Sequence, residues 1–350
     1  MHCNDWQTSL IPMFVKIYRD RYFPKSPKLP KSLLTIHNVS YQGLFPREAM
    51  PETGLGWEHF SLLGLEFYDK LNLLKGGIQY SDIVNTVSVT HAREVQTKEF
   101  GYGMEGVLSA KKDRFFGITN GIDYKVWNPQ GDPNIFKNYS SDNIEVKTIN
   151  KLKLQALCGL VQGEKVPLFG FVGRLVEQKG IDLILKCLPK LCAKGAQTIF
   201  LGKGEPKYEA ALFEMAKAHP GLCFFSSHFD DILAHRIYAA SDFFLMPSAF
   251  EPCGIGQMIS FKYGAAPIVY KTGGLTDTVV DYNLKNAKGN GFVFTKHQAP
   301  EFELAIMRAL ELFSDAKKML DLRKRIMRLN FSWKESAKKY VDLYEKAMRI

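Results

Sequence analysis

Two cations on one short loop are the first residues in this chain whose types and spacing could do chemistry. "GRLVEQKG" (173–180) places Arg174 and Lys179 directly after the apolar run "PLFGFV" (167–172). Arginine offers a planar fork of donors and lysine a compact point charge, so the pair could hold a diphosphate. The octet taken alone reads equally as two surface bases. A carboxylate, Glu251, follows another apolar run in "DFFLMPSAFEPCGIGQM" (242–258). Pro252 fixes the turn behind it. Cys253, Gly254, Ile255 and Gly256 then lead into an apolar segment whose free amides would suit an anion. Glu251 is open between a helix-start carboxylate and an acid presented at a strand end. With no histidine near it in sequence, Cys253 reads as a packing thiol rather than a nucleophile. "KTGGLTDTV" (271–279) follows "APIVY" (266–270) and brings Thr272, Gly273, Gly274 and Leu275 to a third strand end. Its hydroxyls and amides could bind phosphate, or could simply cap a turn. Gly202 and Gly204 form a lone GxG, which turns also use. In the first half, "LTIHNVSYQGLF" (34–45) puts His37 at a strand end, and "TNGID" (119–123) puts Asn120 in an Asn-Gly turn. His37 alone suits a satisfied structural histidine as well as a catalytic one.

These residues need a scaffold that gathers strand ends. Strands are expected at 167–172, 197–202, 222–227, 242–247 and 266–270, each followed by a helical or glycine-opened segment. Continuous apolar strands alternating with amphipathic helices imply a parallel sheet covered on both faces, hence a doubly wound α/β domain. Ligands of such sheets bind outside the carboxyl ends of the strands, where all four loops would lie. The first half is less regular, with strands expected at 33–37, 82–88 and 115–119 and a helix over 90–99. The strand ahead of Asp5 and Trp6 would precede residue 1. The polar, turn-rich segment from 128 reads as an interdomain linker.

A length of 350 residues suits two domains. Hydrophobic residues make up 46%, enough for two cores. No apolar run is long enough for a membrane span, and the start lacks a signal-peptide pattern. The six cysteines form no CxxC pair and read as buried reduced thiols of a cytoplasmic protein. The net charge of +10 fits an anionic ligand, a nucleic acid or a solvated basic surface. No nucleic-acid-binding motif supports the second, and no acidic cluster suggests a metal.

Taken in order, "NDWQTSLIP", "TIHNVSYQGLF", "GIQYSDIVNTVSVTHAREVQTKEFGYGMEGVL", "TNGIDYKVWNP", "GRLVEQKGIDLI", "MPSAFEPCGIGQM" and "KTGGLTDTV" resemble the bacterial glycogen synthase and plastid starch synthase family. The resemblance runs over nearly the whole chain. It implies a GT-B fold, two Rossmann-like domains facing across a cleft. It implies a retaining transfer of glucose from ADP-glucose to the non-reducing end of an α-1,4-glucan, with no metal or other cofactor and no nucleic-acid or membrane partner. The compartment implied is the cytoplasm, or the plastid in a plant or alga. The implied division is a partial acceptor-side domain over 1–127, a linker over 128–165, a nucleotide-sugar domain over 166–330 and a helix over 331–350 that can cross back to the first domain. Arg174 and Lys179 would bind the diphosphate, and Glu251 would sit beside the donor sugar. The amides around Cys253, Gly254 and Ile255, and those at Gly273, Gly274 and Leu275, would line the donor pocket beside Thr272. His37 and Asn120 would lie near the donor glucose.

The chain departs from the family pattern at Gln7, Ala249 and Gly256. Ile259 stands where many other GT-B enzymes have a second glutamate, as it does in the synthases. The chain is also expected to begin late in the first domain, without an early Lys-x-Gly-Gly-Leu loop and with reduced activity. The alternatives are a nucleotide- or glucan-binding remnant and a GT-B transferase using another nucleotide sugar.

Overall fold

The computed structural model describes residues 1–18, 30–228 and 230–350, which form two compact units. One comprises Met1–Asn120 with Lys334–Ile350, the other Gly121–Trp333.

The first unit is built on four parallel strands in the order His2–Asn4, Leu33–Ile36, Ile83–Thr86, Phe115–Gly117. A strand at His2–Asn4 corrects the expectation that the one ahead of Asp5 would precede residue 1. It has three residues, and only Cys3 is buried, so it offers no apolar run to read. Leu34, Ile36, Val84 and Phe115 build the core of one face with Leu74, Ile78 and Leu108. The other face takes the final helix, Trp333–Arg349, whose Leu343 and Ala347 pack on Leu33, Ile83 and Ile118. A small antiparallel sheet, with Lys70–Asn72 between Leu44–Pro46 and Glu66–Phe67, was not foreseen. The expected 90–99 helix is shorter, Val89–Glu94, with Ser88 accepting from the His91 amide at its start.

The second unit holds six parallel strands in the spatial order Cys223–Ser226, Gln197–Leu201, Leu168–Val172, Phe243–Met246, Ala266–Tyr270, Phe292–Phe294. In chain order that is 3-2-1-4-5-6, the doubly wound arrangement whose direction reverses between its first and fourth strands. Burial explains the register. Every residue of Gln197–Leu201 and Phe243–Met246 is buried, as helices on both faces require. Residues 128–165 fall within this unit rather than acting as a linker. Their helix, Lys147–Leu157, buries Lys147, Asn150, Lys151, Leu154 and Gln155. That is helical spacing, filled mostly with polar residues, so the apolar periodicity that marks a packed helix is missing.

All six cysteines are buried thiols. Burial pushes Cys158 up to about 12 and Cys187 and Cys223 up to about 11, which makes them poor nucleophiles. No helix among the described residues is long and apolar enough to cross a membrane.

Candidate active site

The reversal of strand order sets which loops meet. Leu168–Val172 and Phe243–Met246 are hydrogen-bonded neighbours, so the loops after them lie side by side at the carboxyl edge. Lys179 comes from one and Glu251 from the other, and Lys179 Nζ donates to Glu251 Oε2 at 2.6 Å. Ser248 Oγ donates to the same oxygen at 3.0 Å. Glu251 is only 8% exposed, yet its Oε1 receives no hydrogen bond from the described residues. A carboxylate with one occupied and one unoccupied oxygen can still accept from a hydroxyl of a bound sugar. Arg174 is exposed on the same loop as Lys179 and makes no hydrogen bond or ion pair among the described residues.

The two loops are clamped by a residue that sequence reasoning missed. Gln178 accepts the Ala249 amide on its backbone oxygen at 2.8 Å, and its side chain donates to the Phe250 oxygen at 2.9 Å. Next to Lys179, Gly180 has φ +68, and a Cβ there would stand 2.1 Å from the Pro247 oxygen. That oxygen also takes His297 Nε2 at 2.8 Å. A glutamine between two charged neighbours gives no sequence signal for this clamp, because both of its contacts are to backbone atoms far along the chain, 72 positions away for Phe250.

The third loop packs beneath the second. Gly274 donates its amide to the Glu251 oxygen at 3.0 Å. A Cβ on Gly274 would lie 1.9 Å from the Cys253 oxygen, so the close approach requires glycine. Gln257 ties the two turns by donating to the Cys253 and Gly254 oxygens and to Thr278 Oγ1. Cys253, Gly254, Thr272, Gly273 and Gly274 are therefore gathered at Glu251. The amides divide differently from expectation. Gly274 and Leu275 donate to the Glu251 and Thr272 oxygens, and the Leu275 side chain is fully buried, so these two amides hold the turn together rather than lie open to a ligand. The Gly254 and Ile255 amides donate to no acceptor among the described residues, and Ile255 is exposed. Below them, Met246, Phe244 and Tyr238 already crowd the space that a side chain at Gly256 would enter.

The Gly202-x-Gly204 pair has a structural cause. A Cβ at either would lie about 2 Å from the Gly173 or Leu175 oxygen, so both serve the packing of the Arg174 loop.

In the first unit His37 and Asn120 both follow strands of the parallel sheet, but the Ile83–Thr86 strand separates those strands and the two side chains share no bond. The His37 amide donates to Asp5 Oδ1 at 2.7 Å, and its Nε2 meets Asn4 Oδ1 at 3.0 Å. Asn4 thereby directs the ring through Nε2. Asp5 has φ 53, a conformation uncommon outside glycine, at the same strand end. Asn120 Oδ1 is buried with no partner among the described residues, an expensive state that a ligand or water donor would relieve.

Residues 1–110 match the family model of the starch synthase catalytic domain and residues 160–326 that of glycosyl transferases group 1. A glycogen synthase of Thermodesulfovibrio yellowstonii is 44% identical over 98% of this chain and 68% of its own length. One from Desulforudis audaxviator is 46% identical over 99% of this chain and 69% of its own. Among solved structures, the catalytic domain of starch synthase IV from Arabidopsis thaliana, bound to ADP and acarbose, superposes with a TM-score of 0.92 at 35% identity, over 100% of this chain and 73% of that one. A sucrose-phosphate synthase from Thermosynechococcus elongatus shares the fold at TM-score 0.63 and 16% identity, covering 99% and 73%. The fold is GT-B, and the chain belongs to the glycogen and starch synthase family of glycosyltransferases.

Proposed function

We propose that this synthase takes its glucosyl group from ADP-glucose and adds it, with retention, to the non-reducing end of an α-1,4-glucan in the cytoplasm. The observation that carries the reading is the Lys179–Glu251 contact of 2.6 Å at the strand-order reversal, with Arg174 exposed on the same loop. The ADP bound to the related starch synthase IV supports adenine over other nucleotides.

Breaking the bond between the sugar and the β-phosphate builds charge on the departing diphosphate. Arg174 and Lys179 are assigned to stabilise that charge, without a metal, more strongly than the ground state. The Gly254 and Ile255 amides, which donate to no acceptor among the described residues, add donors to the same anion. Glu251 holds Lys179 through Oε2 and keeps Oε1 for a donor hydroxyl. The acceptor hydroxyl attacks the anomeric carbon on the face that the diphosphate leaves, and its proton passes to a phosphate oxygen. His37 and Asn120 are assigned as hydrogen-bond partners of the donor glucose, Asn120 through its unsatisfied Oδ1.

The test is incorporation of radiolabelled glucose into glycogen from ADP-glucose or UDP-glucose, for the native chain and for Lys179→Met. Incorporation from ADP-glucose that UDP-glucose competes with poorly, and that the variant loses, is expected. Preference for UDP-glucose would overturn the donor assignment. No incorporation from either donor, with ADP still bound, would show a binding remnant.

A further inference from the structure

A cavity of about 480 Å³ lies by the amino ends of the two central strands, walled mostly by helical residues. It lies at the opposite edge of the sheet from Lys179 and Glu251, where Asp242 and Leu168 begin the two central strands. Asp242 is 1% exposed and saturated. Its Oδ2 takes Lys151 Nζ at 2.7 Å and the Leu168 amide at 2.8 Å, and Oδ1 takes Arg323. One buried carboxylate thus faces a buried lysine and a partly exposed arginine. Another lysine, Lys147, is 3% exposed, donates to the carbonyls of Tyr238, Ala239 and Tyr263 and lies 5.7 Å from the centre of the Tyr139 ring.

Counting Lys165 and Glu164 at the rim, four cations and two carboxylates line the cavity. Basic side chains therefore outnumber carboxylates by two in the lining, with Lys165 and Glu164 exposed at its rim. Burial first, and then Arg323, hold the Lys147 ammonium well below its ordinary range, with Asp242 opposing. Donors are still available. Arg323 spends one nitrogen on Asp242 and its Nε is buried with no partner among the described residues, while Lys165 is exposed and makes no hydrogen bond or ion pair among them. Phe313, Met319, Ala240 and Ala316 supply the apolar part of the wall, and Thr148 and Ser314 complete it.

We propose that this cavity binds a small phosphate monoester, separately from the transfer site. The dianion suits a lining richer in basic than in acidic side chains, Arg323 and Lys165 supply its hydrogen bonds, and the ester carbon rests against Phe313 and Met319. The volume suits a compact metabolite, at the lower end of small-molecule sites.

The experiment is calorimetric titration of the intact chain, saturated with ADP to occupy the transfer site, with inorganic phosphate and with glycerol phosphate at constant ionic strength. Glycerol phosphate is expected to bind saturably and more tightly than inorganic phosphate. Lys165→Gln, an exposed change that the fold tolerates, should weaken it roughly tenfold, the loss of one charge-assisted hydrogen bond. Arg323→Gln should weaken it further, and Lys179→Met should leave it unchanged. Absence of saturable binding, binding indifferent to Lys165→Gln, or binding lost in Lys179→Met would overturn the site. Glycerol phosphate binding no better than inorganic phosphate would overturn the monoester.

Discussion

At the carboxyl edge of the six-stranded sheet, Lys179 meets Glu251 between two loops, with side chains 20% and 10% exposed; at the amino edge, Lys151 meets Asp242 with side chains 4% and 2% exposed. Glu251 leaves one oxygen unused, whereas both oxygens of Asp242 are engaged. An ion pair on loops, partly wetted and incompletely bonded, can be exchanged for a ligand at small cost. A sealed pair that also fixes the Leu168 amide cannot be opened without disturbing the two central strands. The same chemical pair is thus proposed to serve substrate at one end of a strand, and it serves architecture at the other.

The sharpest way to break this comparison is to remove the lysine at the carboxyl edge. Lys179→Met should lower kcat by roughly a hundred- to a thousandfold, the range for losing one electrostatic donor to a developing anion. Its urea midpoint should stay near that of the native chain. A large stability loss would place Lys179 with the structural ions. The reciprocal change is Asp242→Asn. It leaves the buried Lys151 and the partly exposed Arg323 without their counter-charge and should cost about 3 kcal/mol or more in urea unfolding. The folded variant should keep its kcat, and a catalytic defect without a stability loss would erase the distinction between the edges.

The difference between the edges also decides what could be read from sequence. The carboxyl edge was legible because its groups follow apolar strands directly. Arg174, Lys179 and Glu251 each come within a few residues of a buried run, and strand-end loops are where ligands of such sheets bind. The amino edge was hidden. Lys147 and Lys151 sit on a helix whose buried stripe is polar, so its segment read as a linker, and Asp242, the partner of Lys151, is over ninety positions away. Short strands failed similarly. Phe292–Phe294 and His2–Asn4 have three residues each, too few for a period to show. Gln178 was missed because it acts on backbone atoms, which leave no mark in the identity of the residues they belong to.

Gln178 gives a finer probe of the carboxyl edge. Gln178→Ala deletes the 2.9 Å bond to Phe250 but leaves the backbone bond to Ala249. Loosening one of two links should misplace Lys179 against Glu251 and lower kcat roughly tenfold, since small misplacements near a reacting centre are expensive. KM for the donor should move less than kcat, and stability should fall by about 1 kcal/mol, the worth of one hydrogen bond. Equal losses in kcat and in folded fraction would make Gln178 a structural residue only.

The smallest effect concerns a second buried carboxylate, Asp132, which tests whether sealed groups in this unit hold their charge. Its Oδ2 accepts from His235 Nδ1 at 2.7 Å and from Tyr263 OH at 2.5 Å, with Trp127 stacked on His235 at 4.0 Å between ring centroids. Burial alone would raise this carboxyl, but the bonds from His235, Tyr263 and the Asn134 amide outweigh it and hold it below its ordinary value of 3.8. A depressed carboxylate stabilises the fold fully above its unfolded value and loses that contribution as pH falls through the folded one. Asp132→Asn should therefore cost about 1 kcal/mol or more near pH 5. The gap from the native chain should narrow as urea unfolding is repeated from about pH 5 towards pH 3, below the ordinary carboxylate range. A gap that stays constant over that window would show that shape and hydrogen bonding, rather than charge, keep aspartate at this position. Asp132 would then differ in kind from Asp242, whose place between Lys151 and Arg323 depends on its charge.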